Sequence, residues 1–151
     1  MRRHQGFTLL EIMVVVAIVA MATAAVTLSL RDDGGTRLER EALRLSALLE
    51  AARAQSRTSG LPVLWRSLPG GFEFVGLPAP GTASRTTVAT GPQRWLNEGT
   101  GAQVMQPAGA TTLVLGPEPL IPPQRLVLAL DDRRVLLVTD GLGPFSVTNA
   151  P

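Results

Sequence analysis

A long apolar run opens this sequence. From Ile12 to Leu30 there are 19 residues without a charge, and extending the run back to Phe7 adds a single carboxylate, Glu11. A helix of residues 7–30 would be about 36 Å long at about 1.5 Å per residue, enough to cross a hydrocarbon core of about 30 Å. Arg2 and Arg3 precede the run, so the positive-inside rule predicts a cytoplasmic N-terminus and a chain that continues across the membrane.

The residue inventory argues against several classes of enzyme. The chain has no cysteine, so it has neither a disulfide framework nor a thiolate metal site. Its one histidine, His4, lies in the basic N-terminal stub, which leaves no histidine for a zinc site or a Ser-His-Asp triad in the body of the chain. We therefore predict a non-enzymatic protein without a cofactor or a metal.

The charge balance does not favour a nucleic-acid partner. All 14 basic residues are arginine and the net charge is +2, and this excess comes from Arg2 and Arg3. Although Arg125, Arg133 and Arg134 lie close together in sequence, two aspartates lie among them. Since a neutral body offers little attraction to a polyanion, DNA binding is not expected.

Glycine and proline divide the chain into two parts. All 12 prolines lie at or after Pro62, and in residues 7–59 the glycine pair Gly34-Gly35 is the one strong helix breaker. The sequence thus predicts a membrane helix over 7–30, a helix break over 31–35, and a second helix that begins at Thr36. Residues 36–151 would form a periplasmic domain.

The second predicted helix has clear start and stop signals. Thr36 and Glu39 fit a capping box, in which the threonine side chain accepts a hydrogen bond from the backbone N–H three residues on and the glutamate side chain accepts one from the backbone N–H of the threonine. Gly60 suits a C-terminal cap. The apolar positions recur at spacings of three and four, which predicts one buried stripe packed on a sheet: Leu38, Ala42, Leu45, Leu49 and Ala52.

The remainder predicts an antiparallel sheet. Runs rich in aliphatic and aromatic residues, bounded by Gly, Pro and Asp, predict the strands at 62–66, 72–75, 111–115, 125–130, 135–138 and 145–148. Residues 76–109 are interpreted as mostly loop, with Trp95 as an anchor. The pairs Asp32-Asp33 and Asp131-Asp132 are interpreted as turn residues, because adjacent aspartates lack the ligand spacing of a calcium loop. The predicted fold class is α+β.

The N-terminal segment allows three interpretations. A secretory signal peptide fits the basic start and the small residues near Ala22, but its apolar core is normally only about 7–15 residues long. A plain membrane anchor fits the length but gives no reason for Glu11, since a carboxylate deep in a spanning helix costs about 2.5–3.5 kcal/mol. The third interpretation rests on a resemblance.

The stretch "RRHQGFTLLEIMVVVAIVA" resembles the N-terminus of type IV pilins and type II secretion pseudopilins. The resemblance implies that residues 1–6 are a leader, that a prepilin peptidase cuts after Gly6, and that the new terminal residue Phe7 is N-methylated. Glu11 is then the fifth residue of the mature chain. It lies four residues from Phe7, one helical turn away. It can therefore meet the Phe7 amine of its own chain or, during docking, that of a neighbouring subunit.

Two further stretches resemble pseudopilin H of type II secretion. They are "LVTDGLGPFSV", with Asp140-Gly141 followed by Pro144-Phe145, and "LEREALRLSALLEAARAQSRTSGLPV". The resemblance implies a pilin-like minor pseudopilin in the bacterial inner membrane, near the tip of a periplasmic filament that drives export of folded proteins. Its implied partners are other minor pseudopilins, the major pseudopilin, the prepilin peptidase and the inner-membrane assembly platform. The alternative is a type IV minor pilin of the FimT and FimU kind, with a role in DNA uptake.

Overall fold

The computed structural model describes residues 9–31, 33–77 and 88–149. The chain divides into two compact units, Met1–Asp33 and Gly34–Pro151. In the first unit, α1 runs over Leu9–Arg31. Its sequence is almost wholly aliphatic, with no proline and no glycine to interrupt the helical hydrogen bonds.

The second helix begins earlier than the sequence predicts. α2 runs over Asp33–Ser59, so Gly34, Gly35 and Thr36 are all helical, and the predicted helix start at Thr36 is wrong. α1 ends at Arg31 and α2 begins at Asp33, so the boundary between the two helices lies within the predicted range 31–35. A glycine costs only about 1 kcal/mol relative to alanine in a helix. Tertiary packing of the adjoining stripe can offset that cost. The predicted end is confirmed, because Gly60 follows Ser59 with a φ of +69°.

The first sheet has four antiparallel strands in the order β3-β2-β1-β5. Its strands are β1 (Leu64–Leu68), β2 (Gly71–Val75), β3 (Gly91–Arg94) and β5 (Thr112–Val114). The tight turn at Pro69-Gly70 joins β1 to β2 as an antiparallel hairpin. The aromatic rings of this part pack together, with Phe72 and Trp95 centroids 4.7 Å apart and Phe72 edge-on to Phe74.

The second sheet is also four-stranded and antiparallel, in the order β4-β6-β7-β8. Its strands are β4 (Gly101–Gln106), β6 (Gln124–Leu130), β7 (Arg133–Thr139) and β8 (Ser146–Asn149). Asp131 and Asp132 form the two-residue turn between β6 and β7, as predicted. The predicted α+β class with antiparallel sheets is therefore confirmed.

One hydrophobic core joins α2 to both sheets. All five residues of the predicted α2 stripe are fully buried, and they form a single cluster with Trp65, Phe72, Leu126 and Leu137. Trp95, the predicted anchor, is 7% exposed and belongs to the same cluster.

Most of the described residues in the range 76–109 lie outside strands, as predicted, but two strands here were not predicted from the sequence. This range contains β3 and β4. β3 carries Pro92 and lies at the edge of its sheet, where proline is tolerated, and β4 contains one β-branched residue, Val104. Strand formation here follows from pairing with β2 and β6, which intrinsic strand propensity does not reveal.

Candidate functional site

Helix α1 exposes apolar side chains on every side. Ten large apolar residues have about half or more of their surface accessible, from 49% for Val14 to 78% for Leu9. Because five of them are consecutive, at 12–16, they cover the full circumference of the helix at 3.6 residues per turn. A helix that is apolar all round belongs in lipid or in the interior of a larger assembly.

Glu11 is the one charged residue between Leu9 and Ala24. It lies in the first turn of α1 and its side chain is solvent-exposed. The other two predicted site residues, Gly6 and Phe7, lie outside the described residues. The structure thus locates the carboxylate on an apolar helix, while the predicted pairing of Glu11 with the Phe7 amine stays a prediction.

The hydroxyl of Thr23 is satisfied within α1 itself. Thr23 Oγ1 lies 2.9 Å from the carbonyl oxygens of both Val19 and Ala20, to which it can donate. Threonine is tolerated in apolar surroundings when its hydroxyl bonds back to the preceding turn. Apart from Glu11, the described side chains of α1 therefore require no polar partner from outside.

None of the helices in the described residues combines the length and the apolarity that a membrane crossing requires.

The Asp-Gly…Pro-Phe motif forms a rigid turn after β7. Asp140 Oδ1 accepts hydrogen bonds from the backbone N–H groups of Leu142 at 2.9 Å and Gly143 at 2.8 Å. Thr139 Oγ1 donates to the Gly143 carbonyl oxygen and accepts from the Gly141 N–H. The motif residues are thus required by the geometry of the turn itself.

One face of α2 holds this turn in place. The buried Arg53 guanidinium donates to the carbonyl oxygens of Gly141 and Gly143, and to that of Pro119 in a neighbouring loop. One turn earlier, Glu50 accepts from the Phe145 N–H at 3.0 Å, and Ser46 donates to the Phe145 carbonyl oxygen at 2.6 Å.

The spacing of these three α2 side chains explains why they act together. Ser46, Glu50 and Arg53 are separated by four and three residues, so they lie on the same side of the helix. Sequence reasoning missed them because it followed only the apolar stripe of α2. The available signal was their helical spacing, which matches that of the apolar stripe.

The Asp140 turn is expected to make stability pH-dependent. The hydrogen bonds from Gly143 and then Leu142 hold the pKa of the Asp140 carboxyl below its ordinary value of 3.8, and the Arg53 charge acts in the same direction. A depressed pKa stabilises the fold above the unfolded-state pKa, and this contribution is lost as the pH falls below it. Urea unfolding should therefore show that the free energy of unfolding decreases less between pH 6 and pH 3 in Asp140→Asn than in the wild type.

The matched control for this measurement is Asp132→Asn. Asp132 is exposed in the β6–β7 turn, and within the described part of the chain its side chain has no hydrogen bond. If both variants changed this decrease in the free energy of unfolding by the same amount, the hydrogen bonds at Asp140 would not be the cause of the pH dependence.

Comparison with known proteins supports the interpretation of the N-terminus. Residues 1–27 match the family described as the prokaryotic N-terminal methylation motif. This range includes Gly6, Phe7 and Glu11. The resemblance of the N-terminal stretch to pilins and pseudopilins is thereby confirmed.

Two curated relatives carry the same name. The chain is 38% identical over 78 residues to type II secretion system protein H of Aeromonas hydrophila, which covers 50% of this chain and 43% of the relative. It is 42% identical over 65 residues to type II secretion system protein H of Escherichia coli K12, and this match covers 42% of this chain and 38% of the relative. The chain thus spans about two fifths of the length of these relatives, and the resemblance to pseudopilin H is confirmed over that part.

A solved structure is also similar. The type IV minor pilin FimU of Pseudomonas aeruginosa matches 77% of this chain and 90% of its own, with 14% identity and a TM-score of 0.49.

Proposed function

We propose that this chain is a minor pseudopilin of the type II secretion system, a structural subunit of the periplasmic pseudopilus that drives export of folded proteins. Residues 7–30 would anchor it in the inner membrane, with the domain from Thr36 onward in the periplasm. One observation carries the proposal: α1 exposes apolar side chains on all sides and has a single charged residue between Leu9 and Ala24, Glu11, within a segment that matches the methylation motif.

Maturation would begin at the leader. A prepilin peptidase would cut after Gly6, remove Arg2 and Arg3, and free the amine of Phe7, which is then methylated. The mature chain starts with an apolar residue, and its first acidic group is Glu11. This step converts a membrane-oriented precursor into a subunit that can leave the bilayer with its helix.

Glu11 would act as a docking group between subunits. Alone in lipid, a carboxylate is unfavourable: the cost is about 2.5–3.5 kcal/mol at the centre of a spanning helix, and Glu11, in the first turn of α1, would bear the part of it that applies at its depth. An ammonium group of a neighbouring Phe7 offsets that cost when the two helices meet. Because a buried charge without its partner is strongly destabilising, this pair would admit only correctly positioned subunits.

The apolar surface of α1 would form the filament core. When the helix is extracted from the membrane, its exposed aliphatic side chains remain favourable only if they pack against the helices of other subunits. The partners would be the other minor pseudopilins and the major pseudopilin, brought together by the inner-membrane assembly platform. This role requires no catalytic group on the chain.

Glu11→Ala is expected to be processed and inserted normally but to assemble poorly. Loss of the carboxylate leaves the neighbouring Phe7 amine without a partner, so the mature protein recovered in the sheared filament fraction should fall about tenfold or more, the factor that about 1.4 kcal/mol produces. The measurement is the ratio of filament-associated to membrane-associated mature protein in the native host.

Two variants control this experiment. Glu11→Gln keeps the size of the side chain but not its charge, and should fail in the same way. Glu39→Ala makes the same change at an exposed position of α2 and should assemble like the wild type. Normal assembly of Glu11→Ala would refute the docking role of the charge.

A further inference from the structure

The outer face of the second sheet is apolar along its centre. Side chains alternate between the two faces of the sheet along β6 and β7. The apolar residues that point away from the core are half-buried: Val127, Ala129, Leu136 and Val138. On the neighbouring strand β4, Met105 is 52% exposed. A groove of about 510 Å³ runs along this face.

An arginine lies at each end of this apolar strip. Ala129 pairs across the sheet with Arg134, and Arg125 pairs with Val138. Since Ala129 and Arg125 are four residues apart on β6, the two ends of the strip are separated by about 13 Å at about 3.3 Å per residue.

Both arginines are exposed, and within the described chain neither forms a salt bridge. The nearest acids in sequence, Asp131 and Asp132, belong to the turn between β6 and β7. The described outer-face positions of these strands include no acidic side chain, so the face as a whole is apolar and cationic.

On the first sheet, an exposed arginine is paired with a carboxylate. There, Arg66 and Glu73 are directly opposite each other on β1 and β2, and they form a salt bridge on the outer face. That salt bridge neutralises Arg66, whereas Arg125 and Arg134 on the second sheet have no carboxylate partner among the described residues.

We propose that the outer face of the second sheet docks an extended segment of a partner protein, one that presents apolar side chains between two carboxylates about 13 Å apart. On an extended chain, residues i and i+4 lie on one face at this spacing. The carboxylates would meet Arg125 and Arg134, and the residue between them would enter the groove beside Val127. The apolar strip favours a protein over a nucleic acid, whose phosphates would gain nothing from it.

The inference does not depend on the proposed secretion function, and cross-linking in the native host tests it. A photoreactive benzoyl-phenylalanine replaces Gln103, which lines the groove and is exposed, in the full-length chain. We expect an adduct whose partner peptide, read by mass spectrometry, carries two acidic residues four positions apart with apolar residues between them. Adding Arg134→Glu should lower the yield about fivefold or more, because two like charges would then face each other.

Arg94→Glu is the matched control, because it reverses an exposed arginine on the other sheet that forms no salt bridge among the described residues. It should change the yield by no more than about twofold, the range of ordinary surface substitutions. Exchanging the partner's acid for arginine should restore the adduct with Arg134→Glu. The proposal is overturned by the absence of an adduct, by an adduct with DNA, lipid or a second copy of this chain, by a partner peptide without that acidic pattern, or by equal yields from Arg134→Glu and Arg94→Glu. The mature N-terminus, read in the same samples, reports separately on the proposed function.

Discussion

Gly6→Ala is expected to leave nearly all of the chain as an uncleaved precursor that retains residues 1–6. The resemblance to the pilin and pseudopilin families places the cut directly after this glycine, so we expect the peptidase to reject a side chain at this position. Intact-mass spectrometry of protein extracted from membranes of the native host measures the outcome. The wild type should begin at Phe7 and carry one additional methyl group, and Gly6→Ala should begin at or before Arg2.

The effect on assembly should be equally large. In the uncleaved chain the Phe7 nitrogen is part of a peptide bond, so it carries no positive charge for Glu11 to meet. Arg2 and Arg3 would also remain at the end of the helix and oppose its departure from the membrane, since each charge is costly to move through lipid. Gly6→Ala should therefore be absent from the sheared filament fraction.

Gln5→Ala serves as the control, because it changes the neighbouring leader residue and keeps the glycine. It should be cleaved and methylated like the wild type. Two outcomes would refute the assignment. One is a normal methylated Phe7 in Gly6→Ala. The other is a wild-type chain that begins near Thr23 or Ala25, as cleavage by signal peptidase would produce.

The parts of the fold that could be predicted are those in which one periodicity dominates. The α2 stripe has spacings of three and four, and all of its five residues are buried. β6 and β7 are rich in aliphatic residues on either side of an Asp-Asp turn, and they were predicted to within two residues at each end. In both cases burial of one face determines the local structure, so the sequence pattern reports it directly.

The parts that were missed depend on contacts between distant residues. β4 has the sequence Gly-Ala-Gln-Val-Met-Gln and becomes a strand because it pairs with β6, whose partner residues lie 19–28 positions later. Gly34 and Gly35 are helical although glycine is a poor helix former. Intrinsic secondary-structure propensity is a weak predictor wherever tertiary contacts stabilise the element by more than about 1 kcal/mol.

The candidate site divides in the same way. Glu11 was identified from the sequence, because a lone carboxylate in an apolar run is conspicuous and the family resemblance gives it a role. Ser46, Glu50 and Arg53 were not identified, because their partners include backbone groups of Gly143 and Phe145, 90–99 residues away. Their helical spacing indicates that the three side chains share one side of α2, but the sequence does not indicate which distant backbone groups they bind.

Gly141→Ala is expected to destabilise the compact unit Gly34–Pro151 by about 3 kcal/mol or more. Gly141 has a φ of +92°, and a Cβ built on it would lie 1.8 Å from the carbonyl oxygen of Ile121. The left-handed conformation alone costs an alanine about 1–2 kcal/mol. The clash with a backbone atom cannot be relieved by a side-chain rotation, so the turn must shift and weaken the hydrogen bonds from Arg53.

The measurement is urea unfolding of the full-length protein in detergent, followed by the fluorescence of Trp65 and Trp95, which are both buried in the core. Gly109→Ala is the matched control: its φ is +77°, but a Cβ there has nothing within 4 Å, so it should cost only the conformational strain of about 1–2 kcal/mol. Because the free energy of unfolding of a small domain is about 5–15 kcal/mol in total, the difference between the two variants should be readily measured. Equal destabilisation by both would mean that the Asp140 turn can move away from Ile121, and that Arg53 does not hold it rigidly.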